Sequence, residues 1–584
     1  GDPCTGAERM LAGIWDPGRQ RLVDAAFRAT GSPLAAFTAG DVSRRFDHYG
    51  QELVAMHREA CAATQIRREQ SPAVQDLRMR CLDQRLGELR ALTGLFVQAD
   101  AQIVRNAVTA AGSLQSVADC GNTAALDQIE REPADAAIGA RIAGLRPTLA
   151  RIGALTQAAK YAEAAPLAEQ AWQDARAIGF RPLEAEAAYL RGNIEAFRGH
   201  HADAAAAFED ALWSAEAAHA DALAARAATM LVSVATAHGE LDVAHRWERQ
   251  ARATVERAGD ELVRATYDLK VARLLQDEGH QDEALVHAER AYAIRARLLG
   301  PDDARTADAL YAIGDVRSFQ FKAAEAIDHY RRAMAIYVKR LGAEHPQIAL
   351  MWSRLGNVAW DQGRFQEALD DHLRAIAIRE RVLEPDNPLI AGAYNNAGIA
   401  ADDLRRYDEA LTYYGRALAI QSRTMPPDHP EVLALRNNIG CAYIALERWQ
   451  EAYDELTDVL RLKERKLGPH HASVAETLVN VGRIERQFGR LAAAEAATVR
   501  AQAIFAKESD PDRRGSGALH AELGAIRAAQ GRADDARALA KRAIGELTVA
   551  GEPDQFDLTE PLELLARLSA PGEAVAILER ALAI

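Results

Sequence analysis

The 584-residue sequence is poor in cysteine and lacks the common catalytic motifs. It has five cysteines, and none of them form a Cys-x-x-Cys pair, the spacing typical of a zinc site. Gly-rich phosphate loops, serine-hydrolase elbows, zinc-protease motifs and the kinase Asp-Phe-Gly motif are missing as well. We therefore expect no catalytic residue, no metal site and no cofactor.

Long apolar runs and an excess of positive charge are also absent. No apolar run reaches roughly 18 residues, the length that a membrane-spanning helix needs. The formal net charge of −14 argues against a nucleic acid or an anionic membrane as partner. We expect a protein or peptide partner, with no membrane contact by this chain itself. The sequence leaves the oligomeric state open.

What the sequence does contain is a repeat of 42 residues between 299 and 508. An alanine follows each repeat's glycine by twelve residues, and usually another follows seven later. Two alanines seven apart lie two turns apart on one helical face, where small side chains let a neighbouring helix approach. Self-similarity at a fixed period is typical of a solenoid. The glycines are Gly314, Gly356, Gly398, Gly440, Gly482 and Gly524.

This spacing resembles the tetratricopeptide repeat (TPR), in which helix A carries the glycine and helix B the two alanines. The 42-residue form, with loops such as Glu344-His345-Pro346, is similar to the repeats of kinesin light chain. The resemblance implies an all-α superhelical solenoid. We expect about ten repeats and a C-terminal capping unit over residues 146–584, with Ala368, Ala410 and Ala452 buried.

Residues 1–145 carry no repeat and read as a separate helical module. Helical periodicity covers about 18–29 and 41–68, and a further helix follows Ser71-Pro72. Residues 130–145, with Pro133 and Gly139, are expected to be a linker into the repeats.

Four of the five cysteines lie in this module, and Cys441 stands alone in a repeat. An even set predicts two disulfides in an oxidising compartment, against the alternative of four buried thiols in a cytosolic module. The break at Ser71-Pro72 favours one pairing, Cys61–Cys81 with Cys4–Cys120. Cys4–Cys61 with Cys81–Cys120 is the alternative, because connectivity does not follow from sequence.

Residues 61–90, with Asp2-Pro3-Cys4 and Trp15, resemble the segment after the membrane span of TPR-bearing, myxobacterial-type Ser/Thr protein kinases. The resemblance implies the extracytoplasmic, periplasmic sensor or scaffold region of a single-span kinase, and it favours disulfides. The chain contains neither kinase domain nor span and begins without methionine, so we expect a fragment. The alternative is a cytosolic adaptor similar to kinesin light chain.

Helix A should line the concave face of such a solenoid. Three positions of each helix A should point into this face: the residues two and three before the glycine, and the residue after it. Asparagine recurs there although it is a mediocre helix former, and its amide offers donors and an acceptor to a peptide backbone. Resemblance to kinesin light chain implies that these residues hold an extended peptide, with the arginines pairing an acidic group. Alternatively, the amides bond between repeats and stiffen the array. The candidate residues are Ser353, Arg354, Asn357, Asn395, Asn396, Asn437, Asn438, Asn480 and Arg483.

Overall fold

The protein is all-α in a computed structural model that describes residues 4–507, 513–548 and 558–583. Within these ranges there are helices and turns but no strand. None of the described helices has both the length and the apolar character needed to cross a bilayer. Contacts divide the chain into two compact units, Gly1–Val358 and Ala359–Ile584.

The module at the start of the first unit packs around four aromatic rings. Trp15 meets Phe46 edge-on at 5.0 Å between ring centroids, and Phe46 stacks on Phe96 at 5.8 Å. Phe27, fully buried, completes the cluster. The helices are α1 (Pro17–Ala29), α2 (Ala35–Gln65), α3 (Pro72–Phe96), α4 (Ala101–Gly112) and α5 (Thr123–Gln128), with 3-10 turns at Ala7–Leu11 and Val117–Gly121.

The rest of the first unit consists of paired helices. The even-numbered member of each pair is helix A of a repeat and the odd-numbered member is helix B. The pairs are α6 (Ala136–Gln157) and α7 (Tyr161–Ile178), α8 (Arg181–Phe197) and α9 (His201–Ala217), α10 (Asp221–Ala237) and α11 (Leu241–Ala258), α12 (Glu261–Asp277) and α13 (Gln281–Leu299), and α14 (Ala304–Phe319) and α15 (Ala323–Leu341). Helix α16 (Pro346–Asp361) contains the boundary between the units.

The second unit continues the same alternation. Its helices are α17 (Phe365–Val382), α18 (Pro388–Asp403), α19 (Tyr407–Thr424), α20 (Pro430–Ala445), α21 (Trp449–Leu467), α22 (Ala472–Gln487), α23 (Leu491–Phe505), α24 (Arg513–Ala529), α25 (Ala533–Leu547), α26 (Thr559–Arg567) and α27 (Pro571–Leu582). Among the described residues, these bounds give ten helix pairs, from α6–α7 to α24–α25, and a final shorter pair, α26–α27.

The segment expected to be a linker is mostly helical. Helix α6 begins at Ala136, where the carboxylate of Asp135 accepts hydrogen bonds from the first backbone N–H groups. Ile142 and Leu145 are buried, and this burial outweighs the helix-weakening effect of Gly139. The predicted division between residues 1–145 and 146–584 itself stays a prediction.

The glycine and alanine positions form the seam within each repeat, as the sequence predicts. Ala368, Ala410 and Ala452 are fully buried. In five repeats, a Cβ added at the glycine would overlap the side chain sixteen residues later, for example Leu456 at 2.5 Å from Gly440. Only glycine therefore allows helix A to approach helix B this closely.

The turn between helix A and helix B needs one residue with positive φ. Glycine supplies it at several repeats, for example Gly363 with φ 71° and Gly489 with φ 73°. The loop between repeats is fixed differently, by proline at the first helical turn and a capping side chain before it. Asn387 accepts from the N–H of Leu389, and His429 Nδ1 accepts from Glu431.

Helices A form the inner layer of each unit. Successive even-numbered helices contact each other from repeat to repeat, for example α10 with α12 and α22 with α24. Successive odd-numbered helices of the described chain contact each other less. Within each unit, the even-numbered helices, called the inner helices below, therefore pack closer to one another than the odd-numbered outer helices do.

The module also contacts repeats that are far from it in sequence. The backbone N–H of Glu130 donates to Ala218 O at 3.0 Å, and α2 contacts α15. His345, at the start of α16, bonds to the backbone of Arg105. Its burial lowers the pKa of the imidazole to about 4. The first five repeats are thus tied to the module within one compact unit.

The four module cysteines form two disulfides, with the pairing that the sequence analysis gave as the alternative. They are Cys4–Cys61 and Cys81–Cys120, with Cα atoms 5.6 and 5.5 Å apart. The favoured pairing is wrong because Cys61 lies four residues from the end of α2 while Cys81 lies nine residues into α3. Five residues of helical rise separate them by about 7 Å, too far for a disulfide.

Replacing Gly398 by alanine should destabilise the second unit by about 1–3 kcal/mol, because the new methyl group would overlap the Tyr414 ring. Gly415→Ala is the matched control, since nothing lies within 4 Å of its Cβ position. That change should instead stabilise helix α19 by about 0.5–1 kcal/mol. Urea unfolding measures both, and equal effects of the two substitutions would contradict the assigned seam.

Peptide mapping without reductant should recover Cys4 linked to Cys61 and Cys81 linked to Cys120. Cys81→Ser with Cys120→Ser should lower the free energy of unfolding by about 2–5 kcal/mol, since the unfolded chain loses a constraint. Cys441→Ser, outside the disulfides, is the control. Recovery of a Cys61–Cys81 peptide would overturn the observed packing of α2 on α3.

Candidate peptide-binding site

The nine predicted residues all lie on inner helices, as expected for a ligand-binding face. Ser353, Arg354 and Asn357 are on α16, before the unit boundary, and the other six are on α18, α20 and α22 of the second unit. Eight are half-buried, so a ligand could reach them. Ser353 differs from the prediction, since it is only 7% exposed and its hydroxyl does not lie on an open surface.

Arg354 has partners inside the first unit. Its guanidinium donates to Tyr311 OH at 2.8 Å and lies 3.2 Å from the carboxylate of Asp315. Tyr330 OH donates to the same carboxylate at 2.7 Å. The arginine expected to pair an acidic ligand is therefore already paired with an acidic residue of the preceding repeat.

The asparagines of the second unit bond across repeats. Asn438 Nδ2 donates to Asn395 Oδ1 at 3.2 Å, and Thr477 Oγ1 donates to Asn437 Oδ1 at 3.1 Å. Asn480 Nδ2 donates to Cys441 Sγ at 3.3 Å. The alternative in which amides connect neighbouring repeats is thus realised for four of the five asparagines predicted to hold a peptide.

One register rule describes many of these contacts. The residue one after the glycine of a repeat meets the residue two before the glycine of the next. Asp315 and Arg354 obey this rule, as do Cys441 and Asn480. Arg483 and Glu522 are a third example, with 3.5 Å between Nε and the carboxylate. The rule could have been found from the sequence, because all these residues sit at fixed distances from the glycines.

Arg483 belongs to a buried ion-pair cluster at the end of the second unit. Glu522 is fully buried, and Arg486 Nε donates to it at 2.6 Å. Glu560 accepts from Arg483 Nη2 at 2.6 Å and from Arg486 Nη2 at 3.2 Å. Both carboxylates are thus satisfied, and Arg483, like Arg354, has internal partners that the sequence analysis did not anticipate.

The amides keep unused hydrogen-bonding capacity. Each offers two N–H groups and an oxygen with two lone pairs, and the bonds between repeats use only part of these. Asn396 bonds only to its neighbour Asn395, at 3.5 Å, so its own N–H groups stay available among the described contacts. The network fixes the orientation of the amides and leaves donors and acceptors along the inner face.

Asp402, in the last turn of α18, is not among the site residues predicted from the sequence. Its Oδ1 atom is buried and accepts no hydrogen bond from the described residues. Burial and the neighbouring Asp403 raise the pKa of this carboxyl group to about 6. Burial, together with the charge of Asp402, also raises the pKa of the Cys441 thiol to about 11. Cys441 therefore stays a neutral thiol at physiological pH.

Three side chains of the first unit lie close enough together to be metal ligands. Ligand atoms of Glu195, His200 and Asp203 lie within 4.8 Å of one another. Arg198 lies 2.9 Å from the Glu195 carboxylate, and its positive charge opposes a cation there.

The sequence profile of the tetratricopeptide repeat matches residues 263–338, 347–423, 393–465 and 431–507. These segments coincide with the helix pairs from α12 to α23, so this part of the chain consists of tetratricopeptide repeats. Arrays of this kind are typical of non-catalytic binding scaffolds. No curated protein sequence matches the chain.

Several solved structures are similar to parts of this chain. A putative kinesin light chain from Podosopora anserina is 24% identical over 36% of this chain and 98% of its own length, with a TM-score of 0.33. The apo quorum sensor NprR from B. thuringiensis is 14% identical over 61% and 97%, with a TM-score of 0.46. A Rap protein complexed with competence and sporulation factor is 16% identical over 62% and 98%, with a TM-score of 0.41.

The Asn395–Asn438 hydrogen bond should be measurable as a coupling energy. Asn395→Ala and Asn438→Ala should each lower the free energy of unfolding, and the double variant should lose about 0.5–1.5 kcal/mol less than their sum. The control cycle pairs Asn396→Ala with Asn438→Ala, which share no described hydrogen bond. Additive losses in the first cycle, measured by urea unfolding, would show that this bond does not stabilise the array.

Proposed function

We propose that this chain is a protein-binding scaffold whose second unit holds an extended peptide segment along α18, α20 and α22. The observation that carries the proposal is the row of half-buried amides at Asn395, Asn396, Asn437, Asn438 and Asn480. An extended peptide presents N–H and C=O groups at regular intervals, and amides can both donate to and accept from them.

The bonds between repeats support this use of the amides. The hydrogen bond to Asn395 fixes the orientation of the Asn438 amide, and the hydrogen bond to Cys441 fixes that of the Asn480 amide. Fixed amides lose little conformational entropy when a ligand binds, so their remaining donors and acceptors are preorganised. Such contacts recognise the peptide backbone, and side-chain specificity has to come from other residues on the inner face.

We further propose that the chain is the extracytoplasmic sensor region of a membrane-bound Ser/Thr protein kinase. Two features support this placement, the resemblance of residues 61–90 to such kinases and the two disulfides of the module. Disulfides persist in oxidising compartments and are rare in the cytosol. The competing proposal is a cytosolic adaptor similar to kinesin light chain. Thiol mapping of protein isolated from its native cells separates the two, since four free module thiols would favour the adaptor.

Selection from a displayed library of random peptides tests the proposed binding. A selected peptide, titrated by calorimetry, should bind the double variant Asn396→Ala with Asn438→Ala about tenfold more weakly, because each lost hydrogen bond costs about 0.5–1.5 kcal/mol. The control changes Gln366 and Gln450, exposed on the outer helices α17 and α21, to alanine.

Thermal melts of both double variants show whether they are folded at the assay temperature. Unchanged affinity in the asparagine variant would place binding outside this amide row, and failure to select any peptide would argue against a peptide-binding scaffold.

A further inference from the structure

We infer that Asp402 is the subsite for a cationic group, the ammonium or guanidinium of a lysine or arginine side chain, in a peptide bound along the inner face of the second unit. The inference rests on the proposed function and specifies that the bound peptide carries a positive charge at one position. It reverses the expectation from the sequence, in which arginines of the array were to meet an acidic ligand.

A comparison with the repeat of Arg486 shows where a cationic partner of Asp402 would lie. Arg486 lies four residues after the glycine of its repeat, and it pairs with Glu522, two before the glycine of the next, at 2.6 Å. Asp402 also lies four residues after a glycine, Gly398, and the residue in the corresponding place of the next repeat is Asn438. Asn438 is neutral, and its amide donates to Asn395 instead.

The immediate surroundings of Asp402 disfavour its negative charge. It lies in the last turn of α18, where the helix dipole is negative, and beside Asp403. Burial and the charge of Asp402 raise the pKa of Tyr407 and Tyr414 on α19 and of Cys441 on α20, none of which is cationic. The cation Arg405 lies in the turn after α18 and lowers the pKa of Tyr407. Oδ1 accepts no hydrogen bond from the described residues.

A cation from the ligand would satisfy this carboxylate. Asp402 is half-buried as a residue, although its Oδ1 atom is buried, and it lies two helical turns after Asn395 on the same face of α18. Partial burial strengthens the attraction, because the local dielectric constant is lower than in water. Arg483, the arginine of the second unit that was predicted to bind an acidic ligand, pairs with Glu522 and Glu560 and does not compete for Asp402.

A peptide selected on the wild-type chain provides the probe for this inference. We expect lysine or arginine to be enriched at one position of the selected peptides, and no enrichment when selection uses Asp402→Asn. Changing that lysine to norleucine should weaken binding to the wild type about tenfold and leave binding to Asp402→Asn almost unchanged. An N-acetylated form of the same peptide tests whether its terminal ammonium occupies the subsite instead.

Two further variants make the test specific. Asn438→Lys supplies the counter-charge from within the chain and should abolish the preference for a cationic peptide. Asp408→Asn removes an exposed carboxylate of α19 and should leave the preference intact. Lowering the pH from about 7.5 to about 5 should weaken the wild-type complex, since protonation removes the charge of Asp402, and should not affect Asp402→Asn.

The outcomes separate this inference from the proposed function. Two results overturn the inference alone. The selected peptides bind through the amide row but show no preference for a cationic residue, or this preference is unchanged in Asp402→Asn. Failure to select any peptide overturns both. Loss of affinity only on N-acetylation overturns the assignment to a side chain.

Discussion

The close approach of helix A to helix B within each repeat is the constraint on which the rest of the structure depends. A glycine on the inner helix accepts a side chain from the outer helix, such as Tyr414 against Gly398, where a methyl group would overlap. Fully buried alanines such as Ala410 hold the outer helix equally close to its neighbours. Because the same contact recurs along the chain, each repeat presents the same positions of its inner helix to the next repeat.

That recurrence turns single contacts into a ladder on the inner face. In three places the position one after a glycine meets the position two before the next glycine, with different residues in each. At Asp315 and Arg354 this contact is an ion pair, and at Asn480 and Cys441 it is a hydrogen bond between an amide and a thiol. The chemistry of the face therefore changes from repeat to repeat while the geometry of these contacts stays constant.

The module adds a different kind of constraint, because its contacts join segments far apart in sequence and do not follow the repeat. Two disulfides hold its termini and helices together, and its contacts reach α15 through α2 and the start of α16 through Arg105. A buried neutral imidazole at His345 and a backbone hydrogen bond from Glu130 to Ala218 belong to this interface. The first unit is therefore held by non-local contacts as well as by the nearest-neighbour contacts typical of a solenoid.

The sequence by itself determined the periodic part of this protein. The positions of glycine and alanine predict helix pairs, their register and their buried seam, because close packing tolerates no larger residue there. Capping residues and prolines such as Asn387 and Pro388 likewise set where helices begin.

Only the tertiary structure decided the contacts that periodicity does not encode. Cys4 forms a disulfide with Cys61 because the helical rise separates Cys61 from Cys81. Arg354 and Arg483 pair with carboxylates of the chain itself. The tertiary structure also left Asp402 Oδ1 buried without a hydrogen bond from the described residues, while the Asn438 amide of the next repeat bonds to Asn395. Partner choice between side chains depends on distances in space, and these follow from the packing of whole helices.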